Sequence, residues 1–138
     1  MKREISLDWI EELEFQADLD GHKITIDVGP EHGGTNKGAR PKLFMLLSLA
    51  GCTAMDVVSM LKKMRVDIKG LTIKVEGDME DEPPKAFLSM KVIYTFKGEN
   101  LPMEKLEKAV EMSRDKYCGV SATLKKAIPL DYEIRIAP

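Results

Sequence analysis

Residues 47–61 read LSLAGCTAMDVVSML, an apolar run with one cysteine, Cys52, at its centre and one carboxylate, Asp56, a helical turn later. The uncharged part, Leu43 to Met55, is bounded by Lys42 and Asp56 and falls short of the roughly 20 residues a membrane span needs. It therefore reads as a core helix running from about Lys42 to Lys63. Because it is apolar on nearly every face until Asp56, it is expected to be surrounded by protein at the centre of the fold.

Outward from this helix the pattern changes period. On the N-terminal side, EFQADLDGHKITIDV alternates on either side of Asp20-Gly21, a dipeptide suited to the positive φ angles of a tight hairpin turn. REISLDW adds an edge strand before it, and the glycine-rich GPEHGGTNKGARP is loop chemistry leading into the helix. On the C-terminal side, Leu71, Ile73 and Val75 share one strand face, and Leu88, Met90, Val92, Tyr94 and Phe96 share another. The acidic, proline-bearing EDEPPK turns the chain between them. MEKLEKAVEMSRDKY then sets Leu106, Val110, Ser113 and Tyr117 along one face of an amphipathic helix with Pro102 at its start. A short helical piece, VSATLKKA, leads to the strand LDYEIRI, with Leu130, Tyr132, Ile134 and Ile136 facing inward. Strands, long helix, strands, helices and strand make an α+β fold, expected as one domain over residues 1–138 with antiparallel sheets around the long helix.

Composition narrows the class. At 138 residues the chain is long enough to bury a substantial core. With 43% hydrophobic residues, 32% charged residues and a net charge of −2 from interspersed signs, it offers no basic footprint for nucleic acid. MKREISLDWIEELEF carries acids where a signal peptide has a continuous apolar region, so the expected setting is cytoplasmic, away from membranes.

In such a setting a permanent disulfide is disfavoured, and the two cysteines, Cys52 and Cys118, are far apart with no close Cys/His spacing. No zinc motif is written here, which leaves two inert thiols or a redox pair. Free cysteine is commonly a small buried hydrophobe, and Cys52 lies among the small residues Gly51, Thr53 and Ala54. Either another element packs closely there or a small pocket opens beside the sulfur. Cys118, in KYCGVS, sits at a helix junction, where unpaired amides favour a thiolate. Asp56 is either a solvated or capped carboxylate or a group one turn from Cys52. His22 and His32 read as surface residues, and the nine methionines as core fillers.

PKLFMLLSLAGCTAMDVVSMLKKMR, together with DKYCGVSATLKKAI and the closing strand, closely resembles the OsmC/Ohr family of thiol peroxidases and its OsmC-like branches, over essentially the whole chain. The resemblance implies an OsmC-like fold assembled as an intertwined homodimer. It implies Cys52 as the thiol that attacks a peroxide and becomes a sulfenic acid, and Cys118 as the partner that closes a disulfide, reduced in turn by an external dithiol of the lipoyl type. No metal or bound cofactor is implied. An apolar helix wall favours organic hydroperoxides over hydrogen peroxide.

The sequence departs from the family pattern at two points. Active members carry an arginine near the end of the first hairpin and a glutamate ten residues before the first cysteine. Here Lys42 stands at the latter position, and no arginine occurs between Asp18 and Ala39. Without a nearby cation a buried thiol stays at or above its usual pKa of about 8.5. Arg40 and Lys42 are the candidates to stabilise a Cys52 thiolate, with Arg3 or His32 conceivable across a dimer. The alternative is a dimer that binds a small apolar or thiol-bearing ligand, or serves structurally, without efficient peroxide turnover.

Overall fold

A computed structural model describes residues 1–138 and divides them into two compact units, Met1–Met45 and Leu46–Pro138. The first holds a three-stranded antiparallel sheet of β1 (Leu7–Glu11), β2 (Glu14–Leu19) and β3 (His22–Ile26) in sequential order. Asp20 and Gly21, at φ 51° and 83°, make the β2–β3 turn, and the Asp18 carboxylate accepts the Gly21 amide at 2.8 Å. Both turn residues occupy the left-handed region that this dipeptide tolerates.

The loop after β3 is organised by the buried Asp27. Its carboxylate accepts from the amides of Val28, Thr35 and Lys37 and from the Thr35 hydroxyl, at 2.7–3.3 Å. These donors, the Lys37 amide foremost, hold the carboxyl below the ordinary aspartate range against the opposing effect of burial. The loop returns to β3 through a bridge between Ile26 and Ala39.

The second unit contains nearly all of helix α1 (Leu43–Lys63), followed by β4 (Gly70–Met79), β5 (Phe87–Lys97), α2 (Met103–Met112), α3 (Gly119–Leu124) and β6 (Leu130–Ile136). Its sheet order is β4-β5-β6. The β4–β5 pair is antiparallel as expected, but β6 runs parallel to β5, with Met90 opposite Leu130 and Phe96 opposite Ile136, so this sheet is mixed. A parallel neighbour requires a crossover, and α2 with α3 supplies it.

Leu49, Thr53, Val57 and Leu61, spaced four apart, form the buried stripe of α1. They share a core with Met90, Val92, Tyr94 and Phe96 of β5 and with Leu106, Ala109 and Val110 of α2. Burial of each such aliphatic side chain stabilises the unit by about 1.5–3 kcal/mol. The expectation that protein surrounds α1 is corrected within the single chain, because Leu47 and Met55 remain 63% and 76% exposed. By length and composition α1 is long and apolar enough to cross a membrane.

Three inward assignments also change. Asp78 pairs with Ser89 and Met79 with Phe87, leaving Leu88 as the extra residue of a β-bulge, so Phe87 packs on the core and Leu88 is exposed. Ile136, near the chain end, is likewise exposed. Tyr117 turns outward because α2 continues into a π-helical turn, Ser113–Tyr117, whose wider winding breaks the 3.6-residue period.

Gly38 shows how tightly the loop of the first unit returns to its sheet. A Cβ there would fall on the Thr25 carbonyl oxygen, well inside contact distance. Backbone must move to admit it, and Gly38→Ala is expected to destabilise the protein by about 1–3 kcal/mol. Comparison of urea midpoints for the variant and the parent checks this.

Candidate functional site

Cys52 and Asp56 project from adjacent turns of the same face of α1. Cys118 reaches them from the opposite end of the second unit's sequence because the π turn inserts one extra residue. The Cys118 amide donates to the Ser113 carbonyl, five residues back, at 2.8 Å. Cys118 then leaves the helix in extended geometry (φ −79°, ψ 101°) as the N-cap of α3, where its sulfur accepts the Ser121 amide at 3.4 Å. Sγ of Cys52, Sγ of Cys118 and a carboxylate oxygen of Asp56 all lie within 4.8 Å of one another. Both thiols are reduced; Cys52 is half-buried and Cys118 only 2% exposed.

Behind this triad runs a chain of hydroxyls. Ser113 Oγ donates to Asp56 Oδ2 at 2.9 Å, Ser113 meets Thr53 Oγ1 at 2.8 Å, and Thr53 meets Tyr94 Oη at 2.7 Å. Each hydroxyl has one proton. With that of Ser113 given to Asp56, Thr53 must donate to Ser113 and Tyr94 to Thr53. The chain is therefore directed, Tyr94 to Thr53 to Ser113 to Asp56, and its three hydroxyl residues are fully buried. A second, shorter link joins Tyr132 Oη to Ser121 Oγ at 3.2 Å. The Tyr132 ring stacks on Tyr94 with centroids 6.4 Å apart and lies 5.4 Å from the Arg114 guanidinium.

Burial is the main influence on the titration of these groups. It pushes the Cys118 thiol up; hydrogen bonds from Ser121 oppose the shift, and the adjacent Cys52 adds to it. Burial likewise raises both Tyr94 and Tyr132, so they act as hydroxyl donors through the physiological range.

Of the residues proposed from sequence to stabilise a thiolate, Arg40 and Arg3 have other engagements within the first unit. Arg40 donates to Asn36 Oδ1 at 2.6 Å and to the Gly38 carbonyl at 3.2 Å. Arg3 pairs with Asp20 at 3.7 Å. Lys42 stands one residue before α1 and His32 is exposed at the end of a single 3₁₀ turn, Pro30–His32. At Gly51 an added Cβ would meet nothing within 4 Å, so within the chain the small-residue patch opens space beside Cys52. Two sulfurs and one oxygen offer three donors, one short of the four that close a structural zinc site.

Sequence reasoning missed the hydroxyl chain. Its signal was present in Ser113, a polar residue on the apolar face of an amphipathic helix, and in Thr53 within the small-residue patch.

The model of the OsmC-like protein family matches residues 34–133. The chain belongs to this family. Protein YhfA of Escherichia coli K12 is 30% identical over 129 residues, covering 93% of each sequence. A hypothetical protein from Aquifex aeolicus shares the fold of this OsmC-like chain with a TM-score of 0.86 at 28% identity, over 99% of this chain and 97% of its own. An organic hydroperoxide resistance protein from Elizabethkingia anophelis superposes with a TM-score of 0.71 over 99% of both chains at 12% identity, a likeness of fold.

Two outcomes follow from the geometry. Thr53→Val leaves the buried Tyr94 hydroxyl without its acceptor, while Ser113 still donates to Asp56, and is expected to destabilise the protein by about 1–3 kcal/mol in chemical denaturation. In iodoacetamide labelling at neutral pH, Cys52 is expected to react ahead of Cys118. The Cys118 rate should rise only in the alkaline range, since the shift in its pKa delays thiolate formation.

Proposed function

We propose that this chain is a thiol-dependent peroxidase of the peroxide-stress class. The observation that carries the reading is the meeting of Cys52 and Cys118, from distant segments, with both sulfurs in one 4.8 Å cluster. As a thiolate, Cys52 attacks the O–O bond of a hydroperoxide, releasing an alkoxide that becomes the alcohol and leaving a sulfenic acid on the sulfur. Cys118 displaces the sulfenic hydroxyl to form the disulfide and water. An external dithiol of the lipoyl type then restores both thiols by exchange. These steps need no metal or bound cofactor. Membership of a family whose fold is shared by an organic hydroperoxide resistance protein supports the assignment.

The half-buried Cys52 on an apolar helix favours an organic hydroperoxide over hydrogen peroxide. The exposed Leu47 and Met55 support a homodimer that covers α1 with a second copy. Nucleic acid and membrane are not proposed as partners, and the setting proposed is cytoplasmic.

One observation favours a second reading. Arg40, a candidate to stabilise a Cys52 thiolate, is engaged within its own loop by Asn36 and the Gly38 carbonyl. A site without a thiolate-stabilising cation would bind a small apolar or thiol-bearing ligand in a structural dimer and turn peroxide over poorly.

Treatment of the reduced protein with one equivalent of cumene hydroperoxide, followed by non-reducing peptide mapping, separates the two. The peroxidase reading expects a Cys52–Cys118 linkage within seconds. Thiols still reduced after an hour would favour the ligand-binding reading.

A further inference from the structure

A buried hydrogen-bonded chain in an otherwise apolar core is costly unless every member is satisfied. Here every member is satisfied, and all the donors point one way. Tyr94 on β5 reaches Thr53 on α1, Thr53 reaches Ser113 on the π turn, and Ser113 reaches back to α1 at Asp56 Oδ2. The chain ends on the one carboxylate that shares a cluster with both sulfurs. Packing alone would be met by Val at position 53 and Phe at position 94. What the hydroxyls add is a fixed rotamer for Asp56, with one oxygen occupied by Ser113 and the carboxylate held beside the thiols.

We propose that Asp56 is the general base that takes the proton of Cys118 as the Cys52–Cys118 disulfide closes. The proposal rests on the reading of the two cysteines as a redox pair. In closure after peroxide, the Cys118 S–H bond breaks and its proton passes to Asp56. The sulfur electron pair forms the S–S bond, and the S–O bond of the Cys52 sulfenic acid breaks. The departing hydroxide takes the proton from Asp56 and leaves as water. Cys118 needs such a base because burial keeps its thiol protonated, whereas Cys52 is half-open to solvent.

Within the second unit the other titratable groups facing this site are few. They are Cys52 on α1, Tyr94 on β5, Tyr132 on β6, and the Arg114–Asp115 pair on the π turn, with an Arg114 Nε to Asp115 Oδ1 distance of 2.9 Å. Both tyrosines are shifted upward by burial and do not titrate near neutrality. Arg114 and Asp115 satisfy one another. That leaves Asp56 as the acceptor in the right place.

The test uses disulfide exchange and no peroxide, so it fails separately from the peroxidase reading. Reduced protein is mixed with 5,5′-dithiobis(2-nitrobenzoate). Cys52 takes up a thionitrobenzoate, and Cys118 then expels it, giving a second release of coloured thiolate whose rate reports closure. The parent is expected to close with a rate nearly flat around neutral pH. Asp56→Asn is expected to slow closure by on the order of 10²-fold at pH 7, with a rate that climbs steadily with pH as hydroxide replaces the missing base. Ser113→Ala, which keeps the carboxylate but removes the hydrogen bond that orients it, is expected to slow closure several-fold, and Ser113→Thr, which keeps the hydroxyl, to restore it. Unchanged rate and profile in Asp56→Asn would overturn the proposal, as would a uniform loss at every pH, the mark of a merely structural role. If Asp56→Asn does not fold by circular dichroism, a parental closure rate in Ser113→Ala overturns it instead. A parent that takes up thionitrobenzoate but never releases it would also overturn the proposal.

Discussion

The hydrogen bond between Thr53 and Ser113 is the constraint around which the second unit is arranged. It joins α1 to the π turn through two fully buried hydroxyls, and neither can be lost without leaving polar atoms in an apolar core. Because Ser113 opens the π turn and also accepts the Cys118 amide on its carbonyl, the same residue fixes where the chain unwinds and where Cys118 emerges. The site and the helix packing therefore depend on one another. A regular continuation of α2 would place Tyr117 on the buried face, as its periodicity suggests, and would carry Cys118 away from Cys52.

Much of this was legible in the sequence, for identifiable reasons. LSLAGCTAMDVVSML announced α1 because no other element in a chain of this size absorbs so long an apolar run. Asp20-Gly21 announced its hairpin because few dipeptides tolerate two positive φ angles. The likeness of the two cysteine segments to OsmC-like proteins anticipated a family that the comparison then showed.

What remained hidden has a common cause: local patterns do not register single-residue insertions. Leu88 reads as inward until the bulge opposite Met79 shifts the alternation, and Tyr117 reads as inward until the π turn does the same to a helix. The parallel direction of β6 is not a local property, since alternation is the same in either direction. Nor does a fully apolar helix disclose whether its second face meets this chain or another. In the candidate site, Cys52 and Cys118 were visible as residue types, whereas the role of Thr53 depends on Tyr94 and Ser113, which no spacing rule connects to it.

The grouping of two thiols with a carboxylate, without an evident cation, looks unfavourable for thiol chemistry if both sulfurs are asked to ionise together. They need not do so. Cys52 itself raises the Cys118 pKa, so in the reduced protein one negative charge at the pair disfavours a second. Once Cys52 is converted to a neutral sulfenic acid or a mixed disulfide, that contribution disappears and Cys118 gives up its proton more readily. On the proposed redox reading the electrostatics impose an order: the half-buried thiol reacts first, and its oxidation relieves the buried one. Burial, which taken alone argues against a reactive Cys118, keeps it protonated and unspent until there is a partner to close upon.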